Sequence, residues 1–339
     1  ANNDIKSQKL WQYNGKRLEG CDFSQGNWVY DESYYPLYNY TSCPFIRPLF
    51  DCGRNGRPDK FYLKYRWQPS DCNTPRFNAS KFLERFTGKN IMFVGDSLIL
   101  NQWQSFTCML HGAFPTLKYK LVQKMPTYVF EIPDYKLKIM MQWNNYLVNV
   151  DTQNKEKVLK PETINGVLSD AWKNVDVLIF DTWNWWFYRR PAQLWDNIRV
   201  GNKTLKNMDR MEAFKIGFKT WTQWIDSNIN LSKTQVFYQG ISTSHYWVMD
   251  LRGASNTCKG ITKPYKAPIV LSPGQNIVKN IMKDMKHRPY FIDTTLLTEL
   301  RPDAHPSNYA SPSKKGNDCT HWCLPGVPDT WNDILYAAL

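Results

Sequence analysis

Ile91-Met92-Phe93-Val94-Gly95-Asp96-Ser97 decides the reading of this chain. Four consecutive apolar residues suit a strand buried on both faces, as in a parallel sheet. The Gly-Asp-Ser that follows reads as a sharp turn that lifts a serine hydroxyl at the strand's carboxyl end. Taken alone the tripeptide is as compatible with a plain turn as with a nucleophile. The apolar run before it and the helix expected after Ser97 favour the second reading. That helix start would leave the Ser97 backbone N–H free to stabilise an oxyanion.

Outward from this point the chain alternates strand and helix patterns. Strands are expected at Thr127–Ile132, Leu137–Gln142, Val175–Phe180, Thr234–Gln239 and Pro289–Ile292, with residues 127–142 as an antiparallel ribbon. Helices are expected after Ser97, over Met208–Ile225 (Met211, Phe214, Phe218, Trp221 and Ile225 keep helical spacing), over Pro273–Lys286 and from Pro328-Asp329 onward. Such alternation argues an α/β sandwich, a mainly parallel sheet with helices on both faces. Residues 1–80 differ. They are irregular and rich in turn-formers, and they read as a cysteine-rich N-terminal lobe that wraps a catalytic body at 81–339.

A serine nucleophile needs a base and a group that orients it. Asp318-Cys319-Thr320-His321 supplies both at a spacing where one helical turn would bring them to one side. The other histidines fit less well. His287 sits between Lys286 and Arg288 at an expected exposed helix end, and His111 lies several turns from Ser97. His305 reads as a loop histidine, and His245 lies just past a strand at the same sheet edge. His321 is therefore expected to take the Ser97 proton while Asp318 stabilises the imidazolium. The cluster Trp183, Asn184, Trp185, Trp186, Phe187, Tyr188, Arg189, Arg190 follows a strand end. It is expected to line a groove for sugars and carboxylates, although such aromatics are usually core.

Eight cysteines (Cys21, Cys43, Cys52, Cys72, Cys108, Cys258, Cys319, Cys323) form an even set, consistent with four disulfides. Sequons stand at Asn39, Asn78, Asn202 and Asn230, and together with the cysteines they favour the secretory pathway. Cys319 and Cys323 are expected to pair elsewhere and pin the His321 loop at both ends. No metal is expected, because no second close Cys/His pair completes tetrahedral ligation. The 339 residues carry a net charge of +13, which suits anionic partners. Nucleic acid is not expected, since no helix-turn-helix, RNP or zinc-finger pattern occurs, and an acidic polysaccharide fits the aromatic-rich basic composition. No segment approaches the roughly 18 apolar residues of a membrane span. The start at Ala1-Asn2-Asn3 suggests a mature or trimmed form.

The assembled motifs resemble the plant trichome-birefringence-like family, which acts on cell-wall polysaccharides. The resemblance runs through Cys21-Asp22-Phe23-Ser24-Gln25-Gly26-Asn27-Trp28-Val29, Asn55-Gly56-Arg57-Pro58-Asp59, Arg66-Trp67-Gln68-Pro69 and Phe93-Val94-Gly95-Asp96-Ser97. It continues through Asn101-Gln102-Trp103, Asp303-Ala304-His305-Pro306-Ser307 and Asp318-Cys319-Thr320-His321-Trp322-Cys323-Leu324-Pro325-Gly326, and ends at Pro328-Asp329-Thr330-Trp331-Asn332. It implies an SGNH/GDSL-like three-layer α/β sandwich and O-acetyl transfer through an acetyl-serine on Ser97, with Asp318 and His321 completing the triad. It implies no bound cofactor but an acetyl donor, acetyl-CoA or another carrier. It further implies a monomer in the Golgi lumen, membrane-tethered only through an N-terminal anchor outside this sequence, or a protein secreted to the wall. Some members act as acetylesterases. Asp181-Thr182-Trp183 stands where the family commonly has Asn-Thr and an aromatic, so a carboxylate there would be a poor oxyanion donor. Leu100 stands where many members carry Arg. The stretches Trp183–Trp186 and Arg190–Gln193 look closer to a branch associated with pectin than to the xylan or mannan enzymes.

Overall fold

A computed structural model describes residues 20–246, 255–269 and 271–339, with short paired strands at Gln12–Tyr13, Lys16–Arg17 and Val248–Met249. Residues 1–11, the first part of the expected lobe, lie outside the described ones. The central sheet has seven strands: β1 (Asn90–Gly95), β2 (Lys120–Lys124), β3 (Thr127–Ile132), β4 (Leu137–Trp143), β5 (Val177–Phe180), β6 (Gln235–Gly240) and β7 (Tyr290–Asp293). Their order across the sheet is β7-β6-β5-β1-β4-β3-β2. From β7 to β4 every pairing is parallel, while β2 and β3 add an antiparallel ribbon at one edge.

The period of two in a strand sends Ile91 and Phe93 to one face and Met92 and Val94 to the other. The first pair joins a core shared with the helices α1 (Ala79–Phe86), α2 (Ser97–Ala113) and a C-terminal helix (Val327–Ala338). The second pair joins a core with α3 (Arg210–Asn228) and α4 (Gly274–Met282). The result is the expected three-layer sandwich, and the last helix, Val327–Ala338, is α5. Two expected helices shift at their ends. α3 begins at Arg210, because Asp209 caps it by accepting from the Glu212 N–H at 2.9 Å. α4 stops at Met282, short of the expected Lys286.

Two features were not expected from the sequence. A four-stranded sheet (149–153, 156–160, 197–200, 203–205) packs outside the second core. In the lobe, Gly26–Tyr30 pairs antiparallel with Tyr65–Pro69. Phe23, Tyr38, Ile46 and Phe50 of the lobe belong to the same core as Phe93 and Trp331, so the lobe packs into the body as part of one interior. All eight cysteines pair. Cys21–Cys72 closes the lobe on itself, Cys43–Cys108 ties it to α2, and Cys52–Cys323 and Cys258–Cys319 hold the segment around His321. The four sequon asparagines, Asn39, Asn78, Asn202 and Asn230, are exposed. Among the described residues no helix is long and apolar enough to cross a membrane.

Candidate active site

At the carboxyl end of β1 the chain must turn with almost no room. A Cβ on Gly95 would lie 2.6 Å from the carbonyl oxygen of Asp181, just past the end of β5, so glycine is required there. Asp96 caps α2, its Oδ1 accepting from the Leu98 N–H at 2.8 Å, and Ser97 becomes the first residue of that helix. Burial pushes the Asp96 carboxyl up to about 6 against the opposing pull of the Leu98 N–H and the His321 charge. The serine hydroxyl is thus carried by regular structure on both sides.

His321 reaches it from the far end of the sequence. Its Nε2 lies 2.7 Å from Ser97 Oγ, and its Nδ1 lies 2.8 Å from Asp318 Oδ2. The spacing brings the pair together, but not through a helical turn. Asp318 sits in an isolated antiparallel bridge with Ser307, and its Oδ1 accepts from the backbone N–H groups of Thr320 and His321, each at 3.0 Å. The chain bends around the carboxylate because two amides donate to it. Burial disfavours the Asp318 charge, but the His321 ring and those two N–H groups prevail and hold its carboxyl down at about 2.

The loop around His321 is fixed from several directions. Asn101, one helical turn beyond Ser97, accepts from the Trp322 N–H at 2.8 Å and donates to the Trp322 carbonyl at 3.2 Å. The helix that carries Ser97 thereby grips the loop that carries His321. His305 Nδ1 donates to the His321 carbonyl at 2.6 Å, and its ring stacks on Trp322 with centroids 4.0 Å apart. His245 Nδ1 lies 2.7 Å from His305 Nε2, while His245 Nε2 donates to the Glu299 carbonyl at 3.0 Å. Both rings are buried, at 4% and 1% exposure for His245 and His305. His305 stands in a loop, as the sequence reading has it, but in a buried one that supports the His321 segment. Burial pushes His245 down to about 4 and, with the His245 charge, pushes His305 well below the ordinary imidazole value. Both carbonyl contacts use an N–H, so the 2.7 Å contact between the rings holds a hydrogen only when one of the two imidazoles carries a second proton. From the lobe, Arg57 donates to the carbonyls of Asp303 and His305 at 2.6 and 3.1 Å, and its guanidinium lies 4.0 Å from the Tyr62 ring.

The triad opens on a cavity of about 310 Å³ lined by Ser97, His321, Asp318, Thr320, Asn317, Ala310, Trp185, Tyr188 and Tyr246. Only part of the expected aromatic groove survives. Trp185 lines this cavity and stands 5.1 Å from the Tyr188 ring. Trp186 is 1% exposed and fills the space over Gly217, where a Cβ would meet its ring at 2.2 Å. It belongs to the core and cannot touch a substrate. Trp183 likewise packs on Phe187 and Phe214, at 4.5 and 4.9 Å between centroids. The Asn184 Nδ2 is buried without a partner, away from the triad cavity. On the short helix Asn184–Phe187 successive rings are turned about 100° from one another, so Trp186 faces the interior while Trp185 faces the cavity. Arg189 and Arg190 line a second cavity.

Asp181 also departs from expectation. It follows β5, its N–H donates to the Val94 carbonyl at 3.0 Å, and it is buried. Burial, and then the neighbouring Asp96 charge, push its carboxyl well above the ordinary range. That direction shifts the balance of Asp181 toward its protonated form.

Comparison with known proteins agrees with this architecture. Residues 74–338 match the model of a GDSL/SGNH-like acyl-esterase family found in Pmr5 and Cas1p, and residues 19–73 match that of the PMR5 N-terminal domain. The chain is 42% identical over 327 residues to protein trichome birefringence-like 38 of Arabidopsis thaliana, covering 96% of this chain and 85% of the relative. It is 45% identical over 328 residues to protein trichome birefringence-like 42 (96% and 90% covered) and 46% identical over 323 residues to protein trichome birefringence-like 41 (94% and 90%), both from the same plant.

Proposed function

The chain belongs to the trichome birefringence-like proteins, with their PC-esterase domain of SGNH type, and from that footing we propose a serine-dependent polysaccharide O-acetyltransferase. The observation that carries the reading is the unbroken line from Asp318 through His321 to Ser97, at 2.8 and 2.7 Å. Ser97 Oγ attacks the acetyl carbonyl of a donor, and His321 Nε2 takes the serine proton. The bond from the acetyl carbon to the donor breaks, and His321 returns the proton to the leaving group. A sugar hydroxyl then gives its proton to His321 and attacks the acetyl carbon, the bond from that carbon to Ser97 Oγ breaks, and His321 returns the proton to Oγ. Asp318, ionised down to low pH, keeps the imidazole oriented and stabilises its cation throughout. The Ser97 backbone N–H at the start of α2 stabilises the tetrahedral oxyanion.

The acceptor is a plant cell-wall polysaccharide, with acidic pectin favoured by the net charge of +13. Four disulfides and four exposed sequons suit the oxidising lumen of the secretory pathway, where the Golgi builds such polymers. With water in place of the sugar, the same steps make an acetylesterase. The two are separated by incubating the protein with an activated acetyl ester, then adding either deacetylated oligosaccharide or buffer, and measuring acetylated product against free acetate. Intact-protein mass spectrometry should show one acetyl group on the wild type and none on Ser97→Ala. An acetyl adduct of equal yield on Ser97→Ala would remove Ser97 from the role.

A further inference from the structure

Next to the triad cavity lies a second one of about 420 Å³, walled partly by the four-stranded sheet and partly by the start of α3. Its charges are unequal. Arg190 pairs with Asp196 at 2.7 Å and Lys206 with Glu156 at 3.3 Å, so two of its four cations are answered locally. Arg189 and Arg210 remain. Among the described residues Arg189 has no carboxylate within ion-pair distance, and it is exposed to the cavity mouth. Arg210 is only 7% exposed, yet its partners are neutral: Gln193 Oε1 at 2.7 Å, the Tyr188 carbonyl at 3.3 Å and the Trp195 ring at 4.5 Å. Its Nε has no partner at all. A guanidinium buried without an anion is costly in an isolated protein, and the cost is relieved when an anion arrives.

Consecutive residues line the two cavities. Tyr188 lines the triad cavity, its carbonyl is the acceptor for Arg210, and Arg189 is the next residue. A chain-like ligand with one sugar at Ser97 would cross the Trp185–Tyr188 aromatic pair to reach the arginines. We infer that the second cavity is a carboxylate subsite, in which Arg189 and Arg210 bind the carboxylate of a uronate unit neighbouring the sugar that reacts. Planar guanidinium groups match a carboxylate in two-point fashion. Glu156 and Asp196 on the same wall disfavour the denser charge of a phosphate, and the aromatic divide suits a sugar face. The inference rests on the proposed function for its substrate class, but binding can be read without turnover.

The test is calorimetric titration of the full chain carrying Ser97→Ala with three probes: a short oligogalacturonate, its methyl ester and inorganic phosphate. The acidic oligomer should bind at least about tenfold more tightly than the ester, and less tightly as salt rises. Adding Arg189→Gln, a change at an exposed side chain, should weaken the acidic oligomer about tenfold and leave the ester unchanged. Arg210→Lys, which keeps charge but loses the planar fork, should weaken it as well. Equal binding of acid and ester, or no response to Arg189→Gln, overturns the assignment. Phosphate displacing the oligomer at lower concentration than the uronate itself overturns it too, in favour of a donor phosphate. Absence of acetyl-serine with uronate binding intact would instead count against the proposed function alone.

Discussion

Ser97 stands where a strand buried from Ile91 to Gly95 meets a 17-residue helix, whereas Asp318 and His321 stand on a stretch with neither helix nor strand around the imidazole. The first side is positioned by local rules: an apolar run, a glycine where two strands crowd and an aspartate cap. The second is positioned by partners far away in sequence: Asn101 and His305, Cys52 of the lobe and Cys258. Even the carboxylates differ in sign. Burial drives Asp96 up to about 6, while hydrogen bonds and charge overcome burial and hold Asp318 down at about 2. A site can thus combine one arm set by secondary structure with another set by cross-links, and the two should respond differently to perturbation.

The largest expected effect is on the cross-linked arm's polar contact. Asp318→Asn preserves shape but favours the wrong imidazole tautomer, and kcat should fall by about 10⁴ while the folded state persists by circular dichroism. A loss of less than about tenfold would show that Asp318 is not what orients His321. Next come the disulfides. Cys52→Ser with Cys323→Ser should lower stability by about 2–5 kcal/mol and remove most of the activity at temperatures where the chain is still folded. Cys21→Ser with Cys72→Ser, inside the lobe, should cost stability of the same order but leave turnover close to wild type. Chemical denaturation and initial rates on the two pairs give the comparison directly, and equal losses of rate would erase the distinction drawn between the arms.

The smallest effect is the pH response of stability. Asp318, lowered from the ordinary carboxyl value near 4 to about 2, contributes stability that is present above about pH 4 and lost as pH falls through about 2. Asp96, raised to about 6, contributes stability that is present below about pH 4 and lost as pH rises through about 6. Each amounts to about 2–3 kcal/mol. Melting temperatures against pH should show the acid limb flattened by Asp318→Asn and the decline between about pH 4 and 6 flattened by Asp96→Asn, which retains the cap. Parallel profiles for wild type and Asp96→Asn would mean that the Asp96 carboxyl is not held neutral.

The same contrast explains what could be read from the chain. Ile91–Val94, Gly95 and Asp96 state their structure locally, and Thr127–Ile132 forms the strand its alternation predicts. Asp318 and His321 were legible as a pair by spacing, although the turn that joins them is built by amides donating to the carboxylate. His305 was not legible, because its stacking on Trp322 and its bond to the His321 carbonyl depend on segments that meet only after folding. Trp186 was misread because the sequence gives no sign of which ring on a short helix faces the interior. The four-stranded sheet escaped notice because Lys, Glu, Asn and Thr dilute its apolar alternation, as in Glu156–Lys160.

The bond between Cys52 and Cys323 joins residues 271 positions apart, and it sets an order in time. During synthesis the strand, the turn and the serine emerge early, and for most of elongation the hydroxyl has no base to activate it. Only when residue 323 has left the ribosome can the lobe be tied to the His321 segment. A chain halted before that point has Ser97 without His321 beside it. On the proposed mechanism competence therefore arrives late, once the C-terminal segment has joined the lobe through Cys52 and Cys323.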